Sequence, residues 1–379
     1  MRTGILRIGF KLLVNDRAKF SALLIGMSFA VFLMTQMTAI FAGILDRASS
    51  TVTNIGAPMW IMDPAVNTVT GAIPMPDYLL DAVRSMDGVK FAVPLFLGSA
   101  QVKLASGTYQ AATVIGLDDG SLFGRPELEA GRLEDLYADN SFFVVHDAEF
   151  EKLESPAIGT VFELNDHRGV AVGIARVASN GLNGIPTLYT TYSRAIEYLP
   201  TARFTLSYVL LEPKSAEAEA AIKKKVAELG YLALTDREFI QKIAHFYIYQ
   251  TGIGTNILLM TVISFLVGLS ISGQTFYSFI LENLENFGAL KAIGAKGSDL
   301  IRMIMFMATF SALTGFGLGI GLVTLMIVVA RRQLPNFAAL ITFWNLGLAL
   351  GMVVVIVAIS SYLAVRRVLR IEPFDIFRG

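Results

Sequence analysis

The chain has 379 residues, no cysteine and no net charge, with 16% charged against 54% hydrophobic residues. Soluble domains carry about 25% charged residues, so a chain of this length is not read as two soluble domains. The neutral balance excludes a global basic field for nucleic acid, and the missing cysteines exclude disulfides, thiolate metal sites and a Cys nucleophile.

Residues 1–19 are basic, with Arg2, Arg7, Lys11, Arg17 and Lys19. Over Ile5–Leu13 the spacing of Arg7 and Lys11 makes one helix face positive and leaves the other apolar. The segment reads either as an amphipathic helix on the cytoplasmic leaflet or as the simple start of the first span. Ser21–Leu45 then runs without a charge, longer than the about 20 apolar residues a spanning helix needs, so 20–45 is transmembrane helix 1. A signal peptide would also follow basic residues, but this apolar run is too long and no A-x-A-like site follows it; it is expected to stay as an anchor.

Residues 46–245 are enough for a folded domain on the outer side, and the sequence reads as mixed strand and helix. Met75–Met86 is expected to be a helix. Phe91–Phe96, Gly98–Leu104, Thr108–Gly116, Ser141–His146 and Val170–Val177 are expected strands, rich in Val and Phe and bounded by turn residues. Ser215–Leu229 is a helix with Ser215 as its cap, Glu217 and Glu219 early, Lys223, Lys224 and Lys225 later, and Ala218, Ile222, Val226 and Leu229 on its apolar side. Asp118-Asp119 and Glu127/Glu129, beside Gly120 and Pro126, read as solvated loops. His146, His167 and His245 lack metal-ligand spacing. No Ser-x-x-Lys or Gly-x-Ser-x-Gly motif occurs, so no catalytic residue is assigned.

Phe246–Leu281 is the second charge-free stretch. As one helix it reaches roughly 50 Å, so 246–281 is read as a stalk over 246–255, with Tyr247 and Tyr249 at the interface, continuing into transmembrane helix 2. Residues 282–299 are charged and bear glycines. Met303–Ala330 and Gln333–Val365 are again free of charge, giving transmembrane helix 3 over 300–330, a short loop over 331–342, helix 4 over 343–365 and a tail over 366–379. Gly315, Gly317, Gly319 and Gly321 punctuate span three as overlapping small-x-x-x-small pairs, which let helices approach closely, within the subunit or across a dimer.

Orientation follows from the basic clusters before span one, after span two (Lys291, Lys296, Arg302) and after span four (Arg366, Arg367, Arg370, Arg378). The positive-inside rule puts all three in the cytoplasm, with both termini inside and 46–245 outside. Arg331 and Arg332, between spans three and four, run against it. The charge-free stretches hold no Asp, Glu, Lys, Arg or His, which argues against an ion-coupled transporter and a polar channel. No Walker A pattern is present, so energy is expected from another chain.

The segment after span two reads Glu282-Asn-Leu-Glu-Asn-Phe-Gly-Ala-Leu-Lys-Ala-Ile-Gly-Ala-Lys-Gly-Ser-Asp299. Phe287, Leu290, Ala292 and Ile293 are apolar while Glu285, Lys291 and Lys296 are charged, a short amphipathic helix suited to docking on a partner. It resembles the cytoplasmic signature of the MacB/FtsX-like ABC transporter permeases, Glu-Ile-Gly-x-Leu-(Lys/Arg)-Ala-(Ile/Leu)-Gly-Ala, matching at Gly288, Leu290, Lys291, Ala292, Ile293, Gly294 and Ala295. Asn286 stands where the family has Glu, with Glu285 one residue away. Glu372-Pro373-Phe-Asp375-Ile-Phe377-Arg378 is similar to the family's closing Asp-Pro-x-Glu-Ala-Leu-Arg, in a form that leans toward the DevC-like branch. Gly131-Arg132 before the strand over Phe142–Val145 is similar to the MacB-type periplasmic core.

The resemblance implies an α-helical membrane protein with four transmembrane helices and a large mixed α/β periplasmic domain inserted between helices 1 and 2. It implies an inner-membrane homodimer, not itself an enzyme, whose partner is a cytoplasmic ABC ATPase holding ATP and Mg, with a periplasmic adaptor and an outer-membrane channel as further partners. Glu282, Glu285, Phe287, Gly288, Leu290, Lys291, Ala292, Gly294 and Ala295 would receive the ATPase's movement, and export of a hydrophobic or amphipathic substrate would follow by mechanotransmission. The alternatives are an FtsX-type switch of a cell-wall hydrolase, a lipoprotein-extracting permease, and a membrane receptor, for which the tail after Val365 is too short to hold a signalling domain.

Overall fold

The computed structural model describes residues 2–179, 181–182, 184–199, 204–334 and 336–369. The motif over 372–378 and Arg370 lie outside the described residues, as do the side chains of Arg2 and Arg367. Two helices open the chain, α1 (Arg2–Asn15) and α2 (Arg17–Ala48). Asp16 ends the first and starts the second: its Oδ1 accepts the backbone N–H of Lys19 at 3.2 Å, the geometry of an N-terminal cap.

The inserted domain forms a compact unit over Ile44–Ile253. It runs α3 (Ser50–Ile55), β1 (Met59–Met62), α4 (Tyr78–Arg84), β2 (Val89–Lys103), β3 (Tyr109–Leu117), β4 (Glu127–Gly131), β5 (Ser141–Val145), β6 (Val161–Leu164), β7 (His167–Arg176), β8 (Thr187–Thr191), α5 (Tyr192–Tyr198), β9 (Tyr208–Pro213), α6 (Ala216–Glu228), β10 (Leu232–Thr235) and α7 (Asp236–Tyr249). The strands join one sheet in the order β10-β1-β9-β2-β3-β8-β5-β7-β4, with β6 pairing β2 and β7. The β3–β8 and β5–β7 pairs are parallel.

β2 organises this sheet. Its first part pairs β9 and its second pairs β3. The apolar runs expected as two strands, Phe91–Phe96 and Gly98–Leu104, are thus one. Within it, a Cβ on Gly98 would stand 2.5 Å from Leu199, so the missing side chain makes room for a packed leucine. Early in β2 both faces are covered, Val89 and Ala92 joining α4 and α6 residues on one side and Val93 and Leu95 joining α3 and α7 residues on the other. Strands buried on both faces read as continuous apolar runs rather than alternations.

Trp60 anchors the α7 side. It is fully buried, its ring 5.4 Å from Tyr208 and 5.6 Å from Phe239 between centroids, and its indole N–H donates to Ala57 at 3.2 Å. On α6 the expected cap is in place, Ser215 Oγ accepting from the Ala218 N–H at 3.3 Å, and Ile222 and Val226 are buried. Leu229, expected on that apolar side, falls past the helix end and is exposed. The helix expected over Met75–Met86 is the shorter α4.

α7 changes the reading of the stalk. It starts at a capping box, Thr235 with Glu238, and buries Phe239 and Ile243 in the domain core. It stops at Tyr249, and α8 (Ile253–Glu282) begins after a turn in which Gly252 takes φ +71°. The single helix expected from Phe246 is therefore broken, because a left-handed residue does not continue a right-handed helix.

The remaining helices are α9 (Leu284–Ala292), α10 (Gly297–Gln333) and α11 (Phe343–Leu369). With α1, most of α2 and α8 they form the second compact unit. α2, α8, α10 and α11 are each long and apolar enough to cross a membrane. α1 does not lie free: Leu13 is fully buried and Ile5 and Leu12 pack beside it on α8, α10 and α11 residues. Gly9 sits so close to α10 that a Cβ would stand 2.6 Å from Met303 Cγ. At the other end the α10–α11 loop packs on α2, with Leu340 N–H donating to Ala39 at 2.8 Å. Arg331 explains part of the charge mismatch: in the last turn of α10, it donates to Ala339 in that loop at 2.5 Å, where a cation also complements the helix C-terminus.

Candidate coupling surface

α9 is nine residues long and has two unlike sides. Phe287 and Gly288 are buried. Phe287 is fully buried and belongs to one apolar cluster with Leu13 of α1, Leu23 of α2, Phe279 of α8, Met303 of α10 and Val368 of α11, so it is part of the core that joins α9 to the other helices of its unit. Leu290 and Ala295 are half-buried against the same cluster. The outward side carries Glu285, Asn286, Ala289, Ala292 and Ile293. Ile293 is 83% exposed. An isoleucine so exposed, flanked by small residues, is an unpartnered apolar tip.

The end of α9 is closed by backbone geometry. Ile293 is the cap residue and Gly294 takes φ +102°. The Gly294 N–H donates to Lys291 at 3.1 Å and the Ala295 N–H to Leu290 at 3.0 Å, the paired bonds of a Schellman motif, and Leu290 and Ala295 both pack on the apolar cluster around Phe287. This explains the Leu-x-x-Ile-Gly-Ala run locally. Gly supplies the left-handed turn, Leu and Ala clamp it inside, and Ile is left outside.

The other expected coupling residues separate. Glu282 ends α8, pairs with Lys19 of α2 and accepts from Ser278 Oγ at 3.0 Å. Lys19 also pairs with Asp16 at 3.0 Å and holds that carboxyl below its usual range by hydrogen bonding. Glu282 therefore ties α8 to the α1–α2 junction. Glu285 is exposed, Lys291 half-buried, and Ala292 and Gly294 exposed. Asn286, standing at the family's Glu position, donates to Asn283 Oδ1 at 3.0 Å. Ile293, outside the expected coupling set, is the most exposed large apolar residue of the segment. Its signal was present in its place just before a glycine.

The four glycines of α10 also divide. A Cβ on Gly315 would stand 2.7 Å from Met27, and one on Gly319 2.7 Å from Val31, both on α2, whereas Gly317 and Gly321 have nothing within 4 Å among the described residues. The first pair is the seat of α2 within the subunit.

In the inserted domain the acidic pairs are largely structural. Asp118 accepts from the N–H and Oγ of Ser121 at 2.9 and 2.7 Å. Asp119 accepts from the Ser193 N–H at 3.1 Å, at the start of α5. Glu127 and Glu129, expected in a loop, lie in β4, and Glu129 bonds His146 Nδ1 at 2.7 Å; pairing with β7 holds this stretch extended. His167 stacks on Tyr198 at 4.7 Å and His245 lies 4.7 Å from the Tyr249 ring. Arg194 donates to the carbonyls of Leu136, Ser141 and Ala138 at 2.9, 2.9 and 2.7 Å.

Comparison with known proteins matches these parts in chain order. The family model of the MacB-like periplasmic core domain matches residues 21–229, and that of the FtsX-like permease C-terminal region matches residues 257–373. A curated relative, an uncharacterized ABC transporter permease of Methanocaldococcus jannaschii, is 24% identical over 180 residues, 45% of this chain; the chain spans only 43% of that relative's length. The extracellular domain of the ABC-type transporter YknZ from Gram-positive bacteria is 15% identical over 46% of this chain and 98% of its own, with a TM-score of 0.37. The periplasmic region of MacB from Actinobacillus actinomycetemcomitans is 14% identical over 51% of this chain and 95% of its own, at 0.39. With one family model on α2 and most of the inserted domain and the other on α8, α9, α10 and α11, the chain belongs to the MacB/FtsX-like family of ABC transporter permeases.

Proposed function

We propose that this chain is the permease subunit of an ABC exporter that works by mechanotransmission. A separate cytoplasmic ATPase holds ATP and Mg, two copies of the chain form the membrane part, and both termini lie in the cytoplasm of a bacterial inner membrane. The observation that carries this reading is the two-sided build of α9: Ile293 is exposed beside Ala289 and Ala292 while Phe287 is buried in the apolar cluster to which α1, α2, α8, α10 and α11 all contribute.

A partner that grips the outer side of α9 and moves moves Phe287 with it. Close-packed interiors transmit such displacement rather than absorb it, so the spanning helices shift as a set. The Lys19–Glu282 pair adds a second tie at the same end. Movement then reaches the inserted domain along α2 and α8, which flank it in the chain. Substrate is handled by that domain and need not cross the helix core, which matches charge-free spans. Among the described residues, and apart from Asn345 at the start of α11, the buried polar side chains along the spanning helices carry hydroxyls, Ser28, Ser272, Ser311 and Ser360 among them.

The test is reconstitution with an ABC ATPase from the same organism. The wild-type chain is expected to co-purify with that ATPase and alter its ATP turnover. Ile293→Asp is expected to abolish both while the chain stays folded in the membrane. If the purified chain binds no ABC ATPase, the reading fails.

A further inference from the structure

α8 is the least covered of the four spanning helices: 17% of its most apolar window is buried, against 50% for α2. Of its buried residues, Thr261, Ser264, Gly268, Ser272, Phe276 and Phe279 share one face, with Ile280 to one side of it. On the opposite face Met260, Ile263, Ser270 and Gln274 are exposed. With half-buried Val267 they step by three and four residues, the spacing of a seam that packs on a parallel helix.

Gln274 gives this seam its meaning. It lies eight residues before Glu282, about 12 Å along the axis from that charged layer. Helical side chains lean toward the helix N-terminus, so its amide tilts away from the charged end and deeper into the span. Hydroxyls on spanning helices can bond the carbonyl four residues back, as Thr275 and Thr324 do at 2.8 and 2.9 Å. The Gln274 amide makes no hydrogen bond among the described residues, and hydrocarbon offers it neither donor nor acceptor.

We propose that the Met260–Ile263–Val267–Ser270–Gln274 face of α8 is the interface between two copies of this chain, closed by the two Gln274 side chains bonding each other. A carboxamide is both donor and acceptor. About a two-fold axis along the membrane normal, one Gln274 meets its own copy and each completes the other, as an isologous interface requires. A second copy therefore satisfies the group without a further residue type. The apolar residues nearer the helix start pack, and the amides set the register. This rests on the homodimer reading above and names its surface.

The chain has no cysteine, so single-cysteine variants report without background. Ile263→Cys, Ser270→Cys and Gln274→Cys are placed one at a time in the full chain, with Leu325→Cys on α10 and Val354→Cys on α11 as exposed controls. Membranes are treated with copper phenanthroline, and copies per complex are counted separately by single-molecule photobleaching. The expected result is two copies, disulfide-linked pairs of doubled mass at 263, 270 and 274 and not at the controls, and a roughly three- to tenfold weaker dimer for Gln274→Leu. Two copies without seam cross-links, or an unchanged dimer in Gln274→Leu, overturn the interface and leave the homodimer standing. A single copy overturns both. A cross-link to a protein of another mass puts a foreign partner on the seam and overturns the proposal.

Discussion

Gly319 of α10 lies so close to Val31 of α2 that a Cβ built on it would stand 2.7 Å from the valine's own Cβ. The backbones meet there without side chains between them, and Gly315 does the same against Met27 one turn away. Gly317 and Gly321 have identical chemistry and similar spacing but meet nothing among the described residues. Gly319→Leu and Gly315→Leu are therefore expected to destabilise the helix unit by about 1–3 kcal/mol through overpacking. Gly317→Leu and Gly321→Leu are expected to be neutral. Thermal unfolding in detergent separates the two pairs; equal losses in all four would contradict the packing.

The two sides of α9 make opposite predictions. Phe287→Ala removes a fully buried ring and is expected to cost about 3–5 kcal/mol of stability. Ile293→Asp changes a side chain that touches solvent, with a stability change within about 0.5 kcal/mol, yet it is the variant expected to lose the ATPase. Melting temperature and ATPase pull-down, measured on both, give a crossed pattern if the faces are assigned correctly.

Gly294 is needed for its backbone angle rather than for space, since among the described residues nothing lies within 4 Å of an added Cβ. Gly294→Val is expected to cost about 1–2 kcal/mol from the left-handed conformation, and Gly294→Asn distinctly less, because Asn tolerates that region. Hydrogen exchange at the Ala295 amide reports whether the motif stays closed.

In the inserted domain Lys223 lies 2.7 Å from Glu238 and holds its carboxyl below the usual value of 4.5, chiefly through their hydrogen bond. The folded pKa is thus lower than the unfolded one. The stabilisation is fully present above the unfolded value and is lost as pH falls through the folded one. Both side chains are partly solvated, so the effect is small, about 0.5 kcal/mol. Glu238→Gln keeps the capping acceptor and is expected to be less stable than wild type at neutral pH, with the gap closing in acid. A gap that widens in acid would refute the assignment.

Arg194 gathers the carbonyls of Leu136, Ala138 and Ser141. A lysine offers one charged nitrogen in place of a planar fork. Arg194→Lys is expected to destabilise the inserted domain by about 1–3 kcal/mol, seen as faster exchange of the β5 amides.

By itself the sequence determined the four spans, because a membrane selects directly on length and charge, and both are read by counting. It determined the α6 helix, whose cap, charge order and apolar spacing all act within a few residues. It also marked the α9 segment as unusual. Only the tertiary structure decided which side of that segment faces outward: in nine residues apolar groups sit on both sides, and periodicity cannot say which meets a neighbour. The same limit applied to the four glycines of α10, alike in sequence and unlike in what approaches them. The break at Gly252 was missed because an uncharged run hides a single left-handed residue, and the docking of α7 on Trp60 and Tyr208 draws on partners far away in the chain. Burial is a property of pairs of surfaces, and one strand or helix carries only half of each pair.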